Sequence, residues 1–190
     1  MENSHLKRLC EEHLADALTY KRLKTNPTNG IRLKVSKTLD EILLRRNFSY
    51  TLREKLQTPS SARTQRFYAL PKMHKETLKI RPIVSACGGI FDRLGRLLQH
   101  ILKPLVKNVA AHIKSTEDLI SRFNAIDKDA LRGKIPVSFD VISLYTNINT
   151  KEAINTTLEY MVKYEIHTYG FLTEDVWELL HLLLGNNVFS

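Results

Sequence analysis

The chain predicts an α+β fold, with helices at its N-terminal end and a mixed region carrying a short sheet after them. Three observations carry that prediction. Apolar residues recur at helical spacing up to about residue 57. Thr58, Pro59, Ser60, Ser61 and Ala62 then read as a linker. Beyond it, two strand-type runs flank a basic loop within residues 66–85. The boundary therefore falls at residue 60, with a helical region over 1–60 and a second domain over 61–190. The 190 residues are 43% hydrophobic and 26% charged, enough for a core and against disorder, collagen-like repeats or coiled coil.

The elements follow in order. Residues 2–24 are expected to be helical, with Leu6, Leu9, His13, Leu14 and Leu18 near a 3.6 period. Asn26-Pro27-Thr28-Asn29-Gly30 is a stop and turn. A second helix is predicted over about 31–46 from Ile31, Val35, Leu39, Ile42 and Leu43, with Asn47 as its terminus. Ser49 is placed to cap a third, ending near Gln57. After the linker, Arg66–Leu70 stops at Pro71, and Leu78–Ser85 is a second extended run. Its Pro82 cannot donate to a ladder, which puts that strand at an edge or bends it. Gly88-Gly89 breaks the chain before a helix from about 90, with Ile90, Leu94, Leu97, Leu98, Ile101 and Leu102 inward. Pro104 is expected to kink or end it. Ser115 is expected to cap a helix over about 116–126, with Asp118 in its first turn. Pro136–Ile142 reads as a buried strand, followed by a turn at 146–149 and a helix from a Thr150 cap to about Tyr164. A last helix runs from a Thr173 cap to Leu184 with Gly185 as the stop, and Val188-Phe189-Ser190 looks like a strand beginning.

Several function classes lose support at once. No apolar run approaches the roughly 18 residues of a membrane span. The opening MENSHLKRLCEEH lacks a signal-type apolar stretch, so secretion is not expected. Cys10 and Cys87 suggest neither a disulfide scaffold nor a zinc site, and read as reduced thiols inside a cell. Phosphate-loop, dinucleotide, zinc-protease and serine-hydrolase motifs are absent, and the seven histidines do not fall at metal-ligand spacings.

Charge is uneven. The net formal charge is +9, made of +5 over 1–60, +9 over 61–136 and −5 over 137–190. A basic middle suits a polyanion-binding face, and an acidic end suits a metal-binding or merely solvated region. In residues 66–85, Lys72, Lys75, Lys79 and Arg81 sit on or beside the predicted hairpin, with Phe67 and Tyr68 behind them. Loop cations can project over a polyphosphate, and an arginine fork pairs with phosphate oxygens. The same pattern also fits a solvated basic hairpin. In residues 137–148, Asp140 ends an apolar run and is the one acid between Asp129 and Glu152. Burying it unpaired is costly, so a cation is expected to meet it, unless turn amides satisfy it instead. Tyr145 is placed to face the same cavity.

Taken in order, FYALPKMHK, IRPIVSACGG and SFDVISLYTNI resemble the reverse transcriptase of Penelope-like retroelements, a group similar to telomerase reverse transcriptase. TYKRLKTNPTNGIRLK resembles the helical lead-in before the fingers of those elements. The resemblance covers about residues 15–190. It implies a partial right-hand polymerase fold, with fingers over 61–114 and the start of a palm over 115–190. Lys72 and Arg81 match the fingers cations that contact the incoming triphosphate. Asp140 matches the first catalytic carboxylate, which binds magnesium together with the Val141 carbonyl. Tyr145 matches the ring under the nucleotide's sugar. Lys75, Lys79, Arg93 and Arg96 are the expected contacts to nucleic acid. The implied partners are an RNA template, a DNA primer and deoxynucleoside triphosphates, with a nuclear location and no membrane. The family's paired-aspartate hairpin and thumb have no counterpart here, so the expectation is a retrotransposon-derived fragment that does not polymerise alone. Two other readings stand beside it: a non-catalytic basic nucleic-acid-binding module, and a helical interaction protein built on 1–60.

Overall fold

The computed structural model describes residues 3–72, 79–141 and 143–190. The fold is α+β, with nine helices and a two-stranded sheet among the described residues. Two compact units emerge, one from residues 1–101 with 168–190 and the other from 102–167. The boundary expected at residue 60 falls inside the first.

The first unit opens with α1 (Asn3–Leu14), α2 (Thr28–Arg45) and α3 (Tyr50–Leu56). The helix expected over 2–24 ends ten residues early, because the Asp16 carboxylate accepts from the Leu18 N–H at 3.1 Å and the Thr19 hydroxyl at 2.6 Å. That local turn competes with helical bonding and leaves Leu18 fully exposed. The predicted stripe of α2 holds: Val35, Leu39, Ile42 and Leu43 are all buried. Asn47 closes the turn after α2 in the left-handed region, at φ 55°. Ser49 Oγ then caps α3 by accepting from the Leu52 N–H at 3.3 Å.

The hairpin pairs β1 (Arg66–Lys72) with β2 (Lys79–Ser85) antiparallel, and Pro82 lies opposite Ala69. Of the predicted loop, residues 73–78 lie outside the described residues. On the other side of β1, Phe67 N–H donates to the Ser190 carbonyl at 3.0 Å and Ser190 N–H to the Gln65 carbonyl at 2.9 Å. The last residues thus begin a parallel strand there, as their composition predicts. Helix α1 packs on the hairpin.

Helix α4 (Asp92–Val106) buries Leu94, Leu98 and Ile101, and Ile90 and Phe91 are buried just before it. Pro104, expected to kink or end it, does not end it. Two residues from the helix terminus, its missing N–H forfeits one late bond and the last turn survives. Helix α9 (Thr173–Gly185) packs on α2 and buries Val176, Leu179, Leu180 and Leu182. Thr173 is its first helical residue, not its cap. The capping bond comes from Asp175, which accepts from the Leu172 N–H at 2.8 Å.

In the second unit, α5 (Thr116–Asn124) is capped by Ser115 Oγ, which accepts from the Asp118 N–H at 3.3 Å. Arg122 donates to the Ala110 and His112 carbonyls at 2.9 and 2.8 Å, tying the preceding loop to the helix. Short turns α6 (Lys128–Leu131) and α7 (Leu144–Asn147) precede α8 (Thr150–Lys163). Asn149 caps α8 in place of the expected Thr150, its Oδ1 accepting from Lys151 and Glu152 N–H groups at 3.0 and 3.3 Å. Ile154 and Met161, two turns apart on one face, are its buried residues.

The predicted strand at 136–142 is the main departure. Residues 134–141 form no strand and pair with none among the described residues, and Phe139 is 92% exposed. An apolar alternation specifies which face a strand would bury, but the ladder needs a partner, and no described strand pairs with this segment.

Candidate nucleic-acid interface

The hairpin register builds the first candidate surface. Directly opposed residues of an antiparallel pair share a face, and alternate residues along each strand return to it. Lys72 opposes Lys79, and Arg81 opposes Leu70, two positions from Lys72. Three cations predicted from sequence therefore lie on one face, together with Arg66, Tyr68 and Leu70. Tyr68 and Leu70 are both more than two-fifths exposed, and Arg66, Lys79 and Arg81 are exposed. Among the described residues, none of the four cationic side chains has a carboxylate partner. Like charges directly opposed across a strand pair destabilise it. Two lysines held face to face, without an acid among the described residues to relieve them, make a surface ready for an anion.

Lys75 lies outside the described residues. Arg93 is committed to the fold: its Nη1 donates to the Gln57 carbonyl at 2.8 Å and the Glu54 carbonyl at 3.2 Å, closing the C-terminal turn of α3. Arg96 forks onto Asp92, with Nε 2.9 Å from Oδ1 and Nη2 3.3 Å from Oδ2. Hydrogen bonds from Arg96 first, then from the Gly88 N–H, hold the Asp92 carboxyl below its usual range, and the bond to Asp92 raises Arg96 in turn. An incoming phosphate would have to displace that fork.

The second predicted cluster is arranged differently from expectation. Asp140 and Val141 lie on the exposed, unpaired segment, and Tyr145, on the single turn α7, is 94% exposed. The Tyr145 ring stands in solvent, and Asp140 is exposed, not a buried carboxylate in need of a cation. Among the described residues no three His, Cys, Asp or Glu side chains gather where they could hold a metal ion. The donor set around Asp140 does not fit a two-magnesium centre within these residues. No described helix is long and apolar enough to cross a membrane.

Sequence reasoning missed two arrangements. One is an ion triad in the first unit, where Asp175, with no exposed side chain, meets Arg45 and Arg46. The other is a groove beside Tyr20, Lys21, Arg22 and Lys24, a stretch that the sequence marks only as part of a helical lead-in. Both depend on contacts between distant positions, though the Lys-Arg-Leu-Lys run was a visible signal for the second. Searches against family models, curated proteins and solved structures return no match to this chain.

Proposed function

We propose that this chain is the fingers and opening palm segment of an RNA-directed DNA polymerase of the Penelope-like group, and that its own activity is to hold phosphates on the hairpin. The observation that carries the reading is the register that puts Lys72, Lys79 and Arg81 on one face, with Lys79 and Arg81 exposed and no acidic partner for any of them among the described residues. In such a polymerase these cations neutralise the triphosphate while carboxylates hold magnesium, which stabilises charge on the attacking and leaving oxygens. Here the motif match contributes Asp140 alone. The second reading, a non-catalytic basic module, is favoured by the exposure of Asp140 and the lack of neighbouring ligands among the described residues.

Calorimetric titration with tripolyphosphate and with a deoxynucleoside triphosphate tests the hairpin. Lys72→Ala and Arg81→Ala should each weaken binding by about tenfold or more, the worth of a charge-assisted hydrogen bond. Equal affinity in parent and variants would overturn the assignment. With primer, template, magnesium and deoxynucleotides, the 190-residue chain should show no extension. Template-dependent incorporation abolished by Asp140→Ala would show instead that these residues complete a catalytic centre.

A further inference from the structure

The first unit carries a second basic surface. Phe67 alternates with Lys72 along β1 and so leaves the sheet on the face opposite the hairpin cations. A groove of about 1080 Å3 meets Phe67, and Tyr20, Lys21, Arg22, Lys24 and Phe189 line it as well. The rings form a connected set. Phe67 stacks on Phe189 with centroids 5.4 Å apart and planes 28° from parallel, and Tyr20 meets Phe189 edge-on at 6.0 Å. Tyr20 is held in place through its hydroxyl, 2.9 Å from His13 Nε2. Lys21, Arg22 and Lys24 are exposed, and none has a carboxylate partner among the described residues. Glu11, the acid on the rim, lies 3.9 Å from Lys7 Nζ.

We propose that this groove holds a short run of single-stranded nucleic acid, with phosphates on Lys21, Arg22 and Lys24 and bases against Tyr20 and Phe189. Three cations within four residues, none paired with a carboxylate among the described residues, make a track for a chain of charges, not a point for one. Ring faces beside such a track are how single strands are bound without regard to sequence. Tyr20, Phe67 and Phe189 are half-buried and packed on one another, and the ring surface left over lines the groove as an apolar wall that suits a base and that an acidic peptide's carboxylates would not use. The proposal rests on its own residues and does not depend on what the hairpin face binds.

Fluorescence anisotropy of a labelled oligouridine with the full chain tests it, in low and moderate salt. The joint variant Lys21→Gln, Arg22→Gln, Lys24→Gln should bind at least tenfold more weakly. Its log affinity should also fall less steeply with log salt, by a slope of about 2 for three lost phosphate contacts on a single strand. Phe189→Leu and Tyr20→Leu, each shown by circular dichroism to keep the parent's fold, should weaken binding about fivefold or more. Lys34→Gln with Lys55→Gln, two exposed lysines that do not line the groove, should change oligouridine affinity less than threefold, which separates the groove from the chain's general positive charge. Unchanged affinity in the joint groove variant, or in both ring variants, would overturn the proposal. So would polyglutamate that competes as well as unlabelled oligouridine, which would assign the groove to an acidic protein.

Discussion

Removing Asp175 should be among the most damaging single changes in the first unit. Its carboxylate has no solvent-exposed surface and accepts four hydrogen bonds, from Arg45 Nη2 at 2.6 Å, Arg46 Nε and Nη2 at 2.7 and 3.2 Å, and the Leu172 N–H at 2.8 Å. Burial pushes the Asp175 carboxyl up, yet Arg46, the Leu172 amide and Arg45 together outweigh it and hold the group below the usual carboxylate range. The two arginines differ in what they lose. Arg45 is half exposed and keeps Glu178 at 3.5 Å, so water can replace its partner. Arg46 is only 24% exposed and would be left as a largely buried, uncompensated cation. Breaking a buried pair in this way costs about 3–5 kcal/mol, with the lost helix cap of about 1 kcal/mol inside that figure. At a urea slope of about 2 kcal/mol per molar, Asp175→Ala should lower the unfolding midpoint by about 1.5–2.5 M. Trp177, the chain's one tryptophan and two residues away, reports the transition by fluorescence. Arg46→Ala should cost about 2 kcal/mol, and Arg45→Ala much less. Because the folded Asp175 pKa is depressed, its contribution is complete above the unfolded value of about 3.9 and is lost as pH falls through the folded one. The stability gap between parent and Asp175→Asn should therefore narrow below about pH 4. A loss under about 1 kcal/mol for Asp175→Ala, or a gap that widens in acid, would refute the reasoning.

Two further outcomes are expected. Tyr145→Val should leave urea stability within about 0.5 kcal/mol of the parent, because the ring is 94% exposed, whereas a core aromatic would cost about 3–5 kcal/mol. Gly170→Ala should destabilise by about 1–3 kcal/mol, since Gly170 sits at φ +93° and an added Cβ would lie 3.2 Å from Phe48 Cζ. Phe48 is itself packed on Phe171, with ring centroids 4.7 Å apart, and an unchanged midpoint for that variant would refute the strain assigned to Gly170.

The local chemistry of the chain was enough to locate most of its helices and the hairpin. The 3.6 period of Val35, Leu39, Ile42 and Leu43, the Ser49 and Ser115 caps, and the paired runs about residues 73–78 all act within a few positions. The hairpin face was legible for the same reason: once two strands are joined by a short loop, alternation alone sorts Lys72, Lys79 and Arg81 from Phe67. Short-range competition was harder to see, as where Asp16 ends α1 early or Asn149 takes the cap from Thr150.

Tertiary structure decided the rest. A strand is completed only by a partner, so the apolar alternation of Ile135, Val137, Phe139 and Val141 could state a preference for one face without securing a place in a sheet. Asp175 and Arg45 are 130 positions apart, and nothing near either residue announces the other. The groove likewise gathers residues 20–24, 67 and 189 from three separate segments. Sequence determined which residues were available as cations, rings and carboxylates. Long-range packing determined which of them share a surface, because direct pairing, stacking and burial act only over a few ångströms.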